Sequence, residues 1–146
     1  MYKTIIINSK AEAIAHLKYA ISESNLGFTV VSSYLYNKRA SDAVARTRPN
    51  LVITDSPPSK EKNLDIVKNI HSRFPDIKIL LYTDRTDFEL AKSAVSQGVS
   101  GIVCPGDDSE LTAALTGIKG LLDRQATQKK RDKLFDQLVV SARKQF

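Results

Sequence analysis

Five short apolar runs, each followed by a segment whose apolar residues have helical spacing, constrain the fold of this chain most strongly. The runs cover residues 3–8, 28–32, 51–54, 77–82 and 102–103. In the first run Ile5, Ile6 and Ile7 are consecutive, which is typical of a parallel strand buried on both faces. Strands that alternate with helices predict an α/β domain, in which helices cover both faces of a parallel sheet.

Caps and apolar spacing predict five helices. Ser9 is predicted to cap the first helix, because Glu12 follows three residues later in the register of a capping box. Turn-forming residues 25–27 are predicted to end that helix. The remaining helices are predicted over residues 40–47, 64–74, 88–97 and 110–122.

Beyond Leu122 the helical spacing of apolar residues lapses. It resumes in five residues, Phe135, Leu138, Val139, Ala142 and Phe146. The sequence therefore predicts a domain over residues 1–122 and a basic amphipathic helical extension over 123–146. The extension either folds back on its domain or frays, or it continues the fifth helix and binds a partner or a second copy. One and a half heptads are too few to predict a coiled coil.

Positive charge is concentrated in the same part of the chain. The net charge of the 146 residues is +6, and residues 119–146, with eight basic and three acidic side chains, account for +5. A basic segment attracts phosphates, acidic partners or membrane surfaces, but it reads no nucleic-acid sequence by itself. No helix-turn-helix pattern follows Leu122, so binding to nucleic acid stays an open alternative.

The single cysteine, Cys104, excludes an internal disulfide and favours a reducing compartment. The apolar run at residues 5–7 is too short for a signal peptide or a membrane span. We therefore expect a cytoplasmic protein with no membrane span. The sequence leaves open whether the chain is a whole protein or a fragment.

Asp55 ends the third apolar run and is followed by Ser56, Pro57 and Pro58. Open α/β sheets bind ligands at the carboxyl ends of their strands, so this carboxylate is predicted to lie in a pocket there. Capping of the following turn is the alternative. No glycine-rich phosphate loop follows the first strand.

Three further candidates carry weaker signals. Cys104 is predicted to be a small, buried and inert side chain rather than a reactive thiol, because no base is paired with it. His16 and His71 are predicted to be surface residues of helices without a functional role.

Segments 48–55, 79–83, 98–105 and 109–111 together resemble the receiver domain of two-component response regulators. The resemblance covers residues 2–122 and implies a flavodoxin-like, doubly wound, five-stranded parallel sheet with strand order 2-1-3-4-5, without enzymatic activity. It also implies that Asp55 corresponds to the aspartate that accepts a phosphoryl group from a histidine kinase. Thr83 then corresponds to the hydroxyl residue that contacts this group.

The chain departs from that family pattern at the pocket. Asn8 and Ser9, followed by Lys10, stand where receivers have two adjacent acidic residues that help to hold Mg²⁺. Cys104 precedes Pro105 where receivers have a lysine. Phosphoryl transfer needs a bridging cation and fixed positive groups, and losing one such contact costs about 3 kcal/mol. We therefore expect no metal site and no cofactor, with Mg²⁺ needed only if the pocket is competent for phosphorylation.

Lys10 offers one way in which the pocket would work without a metal. Its ammonium group would lie near Asp55 and supply the missing positive charge. The alternative is that Lys10 points to solvent in the first turn of its helix.

Three classes of function follow from the resemblance. The favoured one is a pseudo-receiver that signals through protein contacts without phosphorylation, binding a partner or a second copy through helix 4, strand 5 and helix 5 or through the carboxyl-terminal helix. The second is a working receiver in a phosphorelay, phosphorylated at Asp55 by a histidine kinase. The third is the receiver part of a DNA-binding transcriptional regulator. The sequence names neither the partner nor the pathway.

Overall fold

Strands and helices alternate along the whole domain in a computed structural model, which describes residues 1–36, 39–55, 65–83 and 88–144. The strands are β1 Tyr2–Asn8, β2 Phe28–Leu35, β3 Leu51–Thr54, β4 Lys78–Tyr82 and β5 Gly101–Val103. The helices are α1 Ala11–Ser24, α2 Ala40–Thr47, α3 Asp65–Arg73, α4 Phe88–Ser96 and α5 Asp108–Lys144.

All five strands are parallel and lie in the order β2-β1-β3-β4-β5. The predicted flavodoxin-like sheet and its strand order are therefore confirmed. Because β1 pairs with β2 on one side and with β3 on the other, the strand order reverses at β1. In sheets of this type the crevice for ligands lies at that reversal, outside the carboxyl ends of the strands.

The isoleucines of β1 divide the core into two layers. Ile5 and Ile7 pack in a cluster with residues of α2 and α3, whereas Ile6 packs in a second cluster with Leu17 of α1 and Leu115 of α5. All of these side chains are fully buried. Consecutive strand residues point to opposite faces, so a continuous apolar run is what a strand covered on both sides requires.

The start of α1 differs from the prediction. Its N-cap is Lys10, with extended backbone and no side-chain capping bond, so the predicted capping box of Ser9 and Glu12 is wrong. The Ser9 side chain instead bonds to Asp55, across the sheet edge. The end of α1 is as predicted, because Asn25 adopts the left-handed conformation (φ 53°) that is common at helix ends.

Helix α5 runs without a break from the core into the extension. Its buried residues Leu111, Leu115 and Ile118 face the sheet. Past the core, the Tyr2 hydroxyl donates to the Asp123 carboxylate, and Lys129 Nζ lies 3.5 Å from Asp76 Oδ2. The predicted continuation of the fifth helix is thus present, and the last turns do not fold back on the domain.

Smaller differences concern the bounds of the elements. Strand β2 extends to Leu35, three residues beyond the predicted end, and α3 begins at Asp65. The predicted break at residues 56–58, the predicted helix start at Leu64 and the apolar position Phe146 lie outside the described residues. Among the described helices, none combines the length and apolarity needed to cross a membrane.

Candidate functional site

The carboxyl end of β3 brings Asp55 beside the end of β1. Ile7 pairs with Thr54 in the sheet, and the Asp55 amide donates to the Ile7 carbonyl over 3.2 Å. The residues that follow the two strands are therefore neighbours at the crevice. Asp55 thus lies at the carboxyl edge of the sheet, and its place in a ligand pocket stays a prediction.

Ser9 holds the Asp55 carboxylate with two donors. The Ser9 amide lies 3.0 Å from Asp55 Oδ2, and the Ser9 hydroxyl donates to the same oxygen over 2.5 Å. The second carboxylate oxygen, Oδ1, is buried and has no hydrogen-bond partner in the described part of the chain. Neutral donors therefore hold one oxygen, while the described residues offer no donor to the other.

The side chain of Asn8 forms a hydrogen bond within its own turn. Asn8 is buried, and its Oδ1 accepts a hydrogen bond of 2.9 Å from the Lys10 amide. The Asn8 carbonyl in turn accepts from the Tyr36 amide over 3.0 Å. Asn8 therefore organises the start of α1 rather than offering a free oxygen to a ligand.

Lys10 does not reach Asp55. Its side chain is exposed, and no ion pair joins these two described residues. The hypothesis that the Lys10 ammonium supplies charge to the carboxylate is wrong in this structure, and the alternative, a lysine that faces solvent, is observed.

The other predicted site residues lie at the same edge of the sheet, on neighbouring strands. Thr83 follows β4 and is buried, and its amide donates to the Val103 carbonyl over 3.0 Å. Cys104 follows β5 and is only half-buried, which corrects the prediction of a buried side chain. Pro105 is exposed. Among the predicted site residues, the edge thus carries the Thr83 hydroxyl and the Cys104 thiol together with the Asp55 carboxylate.

This set of donors does not fit Mg²⁺. Mg²⁺ prefers hard, anionic oxygens in near-octahedral geometry, and Asp55 is the one carboxylate among the predicted pocket residues. The oxygens of Asn8 and Ser9 are neutral and already hydrogen-bonded. No group of three His, Cys, Asp or Glu side chains suited to a metal occurs within the described ranges.

Tyr36 is part of the crevice, although the sequence did not indicate it. Burial raises the pKa of Tyr36 to about 12, and the carboxylates of Asp55 and Asp65 add to the rise. The signal for its position is the length of β2, because a strand that reaches Leu35 carries Tyr36 to the end of β1. A strand that ended at Ser32 would not.

The raised pKa of Tyr36 makes a prediction for alkaline solution. The Tyr36 hydroxyl loses its proton near pH 10 in the unfolded chain and near pH 12 in the folded chain. The stabilisation of the fold that comes from this difference is therefore complete below pH 10 and is lost as the pH rises through 12. We expect the free energy of unfolding to fall over this window. Urea unfolding at a series of pH values, with tyrosinate absorbance as a second signal, measures it.

The matched variant is Tyr36→Phe, which cannot ionise. Its stability should fall less steeply above pH 10 than that of the natural chain. The remaining slope comes in part from Tyr2, whose pKa is raised by its bond to Asp123, and from Tyr82, whose pKa is raised by burial. Equal slopes for the two proteins would contradict the placement of Tyr36.

His16 has a partner that its sequence position did not reveal. Its Nε2 lies 2.8 Å from Asp108 Oδ1, so the pair joins α1 to the first turn of α5 near the carboxyl ends of the strands. Both side chains are about half exposed, at 48% and 50%. An ion pair this exposed contributes little to stability.

The fold is that of the receiver domains of response regulators. The receiver domain of AraT, a response regulator from Geobacillus stearothermophilus, matches with a TM-score of 0.76 and 20% identity, over 86% of this chain and 98% of that one. A LuxR-family two-component response regulator from Aurantimonas sp. SI85-9A1 matches with a TM-score of 0.73 and 17% identity, over 89% of this chain and 98% of that one. The resemblance inferred from sequence motifs is thereby confirmed at the level of the fold.

A comparison of sequences gives a relative in Bacillus subtilis (strain 168). The uncharacterized transcriptional regulatory protein YesN is 23% identical over 132 residues, which cover 90% of this chain. The chain spans 36% of the length of that protein. No model of a known protein family matches the chain.

Proposed function

We propose that this chain is a pseudo-receiver, a non-catalytic signalling module that acts through protein contacts and is not phosphorylated by the usual Mg²⁺-dependent route. The observation that carries the proposal is the pair of hydrogen bonds from Ser9 to Asp55 Oδ2. Both donors belong to one residue and are neutral. They satisfy one oxygen of Asp55 without bringing the positive charge that phosphoryl transfer requires.

The electrostatics of the pocket support this proposal. In phosphoryl transfer a cation bridges the oxygens, and fixed positive groups neutralise the charge that develops. Here Asn8 and Ser9 bring no negative charge to attract a divalent ion, Lys10 faces solvent, and Cys104 stands where receivers have a lysine. Each missing contact costs about 3 kcal/mol of transition-state stabilisation, so phosphorylation of Asp55 is slowed by several orders of magnitude.

The test is incubation with acetyl phosphate and Mg²⁺, followed by mass spectrometry of the intact chain. We expect no added phosphoryl group and, with beryllofluoride, no change in the amide NMR signals around Asp55. Asp55→Asn is the control for modification elsewhere. A mass increase of one phosphoryl group that Asp55→Asn abolishes would establish the working receiver instead.

A second candidate function is the receiver part of a longer transcriptional regulator. The likeness to YesN favours it, because this chain aligns with about a third of that protein. The basic side chains of α5 would then lie next to a DNA-binding part that follows the receiver. In this case a histidine kinase or the regulator's own second domain would be the partner.

DNA binding by the present chain tests whether an element that reads bases lies within this chain or in another part of the regulator. Fluorescence anisotropy with several unrelated duplexes should show weak binding that falls steeply with salt and is the same for all of them, because the described residues contain a basic helix but no element that reads bases. A clear preference for one duplex would place a reading element within this chain.

A further inference from the structure

The last turns of α5 present an apolar stripe that the domain does not cover. This stripe, which we call the seam, consists of Leu134, Phe135, Leu138, Val139 and Ala142. Leu134, Phe135 and Leu138 are 58%, 66% and 61% exposed. Apolar side chains exposed together on one helix indicate a surface that is covered in the functional state.

The seam lies on the face of α5 opposite to the one that packs on the sheet. At 3.6 residues per turn, Phe135 and Leu138 are about half a turn away from the line of Leu115, Ile118 and Leu122, which are buried against the domain. The same chain therefore cannot cover the seam by bending α5 further onto its own sheet. In addition, Lys129 Nζ lies 3.5 Å from Asp76 Oδ2, so α5 already contacts the domain with the face opposite to the seam.

We propose that a second copy of this chain covers the seam, so that two α5 helices pack in parallel over their last three turns. This inference does not depend on the state of Asp55. In heptad register, Phe135 and Ala142 are a positions and Leu138 is a d position, while Leu134 and Val139 are the flanking g and e positions. A parallel pair places Leu134 of one copy against Val139 of the other, which extends the apolar contact on both sides.

Charge complementarity favours a second copy over another occupant. Arg131 is the d position before the seam, and Asp132 is the e position beside it. In a parallel pair a d side chain lies next to the e position of the other helix, so the pairing forms two symmetric Arg131–Asp132 ion pairs. Asp132 is already oriented, because its Oδ1 accepts a 2.9 Å hydrogen bond from Gln128 in its own helix.

The remaining positive charge lies outside this contact. Four basic side chains fall at the outer b, c and f positions of the same register, namely Lys129, Lys130, Lys133 and Arg143. Like charges on the two copies are therefore kept apart and screened by solvent. Because the sheet-facing side of α5 is opposite to the seam, the two domains lie on the outer sides of the helix pair and do not collide.

Sedimentation velocity of the full chain over a concentration series tests the proposal. We expect a reversible dimer that Leu138→Lys weakens by about a hundredfold, since both copies lose a buried leucine and gain a buried charge. The matched control is Val140→Lys on the outer face of the same helix, where the valine is 50% exposed. It should change the dissociation constant by less than about twofold. Circular dichroism confirms that both variants keep the helix.

A charge exchange tests the identity of the partner. Arg131→Asp and Asp132→Arg should each weaken the dimer about fivefold, and the double variant, which restores opposite charges across the pair, should recover the natural affinity. Disulfide formation in a Cys104→Ser background tests the orientation. Leu138→Cys should cross-link the two copies much faster than Val140→Cys.

Three results would overturn the proposal. The first is a chain that stays monomeric into the millimolar range, including one that instead binds anionic lipid vesicles or DNA through α5. The second is an equal effect of Leu138→Lys and Val140→Lys on self-association. The third is faster cross-linking of Val140→Cys than of Leu138→Cys.

Discussion

Replacing Asn8 and Ser9 together with aspartate is expected to create a Mg²⁺ site beside Asp55. The substitutions remove the Ser9 hydroxyl bond to Asp55 Oδ2 and add two carboxylates at the end of β1, beside Asp55, whose Oδ1 is buried without a partner in the described chain. Without metal the three negative charges repel each other and destabilise the fold. With Mg²⁺ at about 100 times its dissociation constant, binding adds about 2.7 kcal/mol of stability.

Thermal unfolding with EDTA and with Mg²⁺ measures this effect. The variant should melt below the natural chain in EDTA and recover in Mg²⁺, whereas the natural chain should be unaffected by the ion. Asn8→Asp/Ser9→Asn, which adds one charge instead of two, is the matched control and should respond more weakly. If the natural chain gains as much stability from Mg²⁺ as the variant, the proposal of a pseudo-receiver is wrong.

Gly98→Ala is expected to destabilise the chain by roughly 3 kcal/mol, for two separate reasons. Gly98 has a φ of +105°, a conformation that costs energy for any residue with a Cβ. A Cβ at this position would also lie 2.6 Å from the Nδ1 and Cδ2 atoms of His71. The imidazole would have to move for the loop between α4 and β5 to keep its path. Urea unfolding gives the free energy.

Gly106→Ala separates the two reasons. Gly106 has a similar φ of +120°, but a Cβ there would have nothing within 4 Å. This variant should therefore show the cost of backbone strain alone and be more stable than Gly98→Ala by about 1 kcal/mol. Adding His71→Ala to each glycine variant should remove that difference. A difference that persists would show that the imidazole is not its cause.

The architecture was predictable because burial on both faces leaves a strong signal in the sequence. The isoleucines of β1 and the residues of β3, Leu51–Thr54, are buried on both faces of the sheet. A strand that is covered on both faces appears in the sequence as an unbroken apolar stretch. Strand β2 was predicted too short because it is an edge strand. Its Ser33 and Tyr34 are half-buried, so nothing in their polarity distinguishes the end of the strand from a loop.

The contacts of the site were harder to predict because they join residues that are far apart in the chain. Ser9 has the features of a helix cap, whose side-chain oxygen would accept from a backbone amide of the first turn. In the folded chain its hydroxyl instead donates to the Asp55 carboxylate, 46 residues away. The partnership of His16 with Asp108, 92 residues apart, has the same origin. Local pattern identifies the residues at the sheet edge, and only the assembled sheet shows which of them meet.

The unbroken course of α5 makes it a lever arm. Its first turns are anchored in the core by Leu111, Leu115 and Ile118, and its last contact with the domain is that of Lys129 with Asp76. The helical residues 130–144 extend over about 22 Å beyond that contact. A tilt of about 10° there would move the far end by about 4 Å. Small displacements within the domain are thus enlarged at the far end of α5, where a bound partner would receive them.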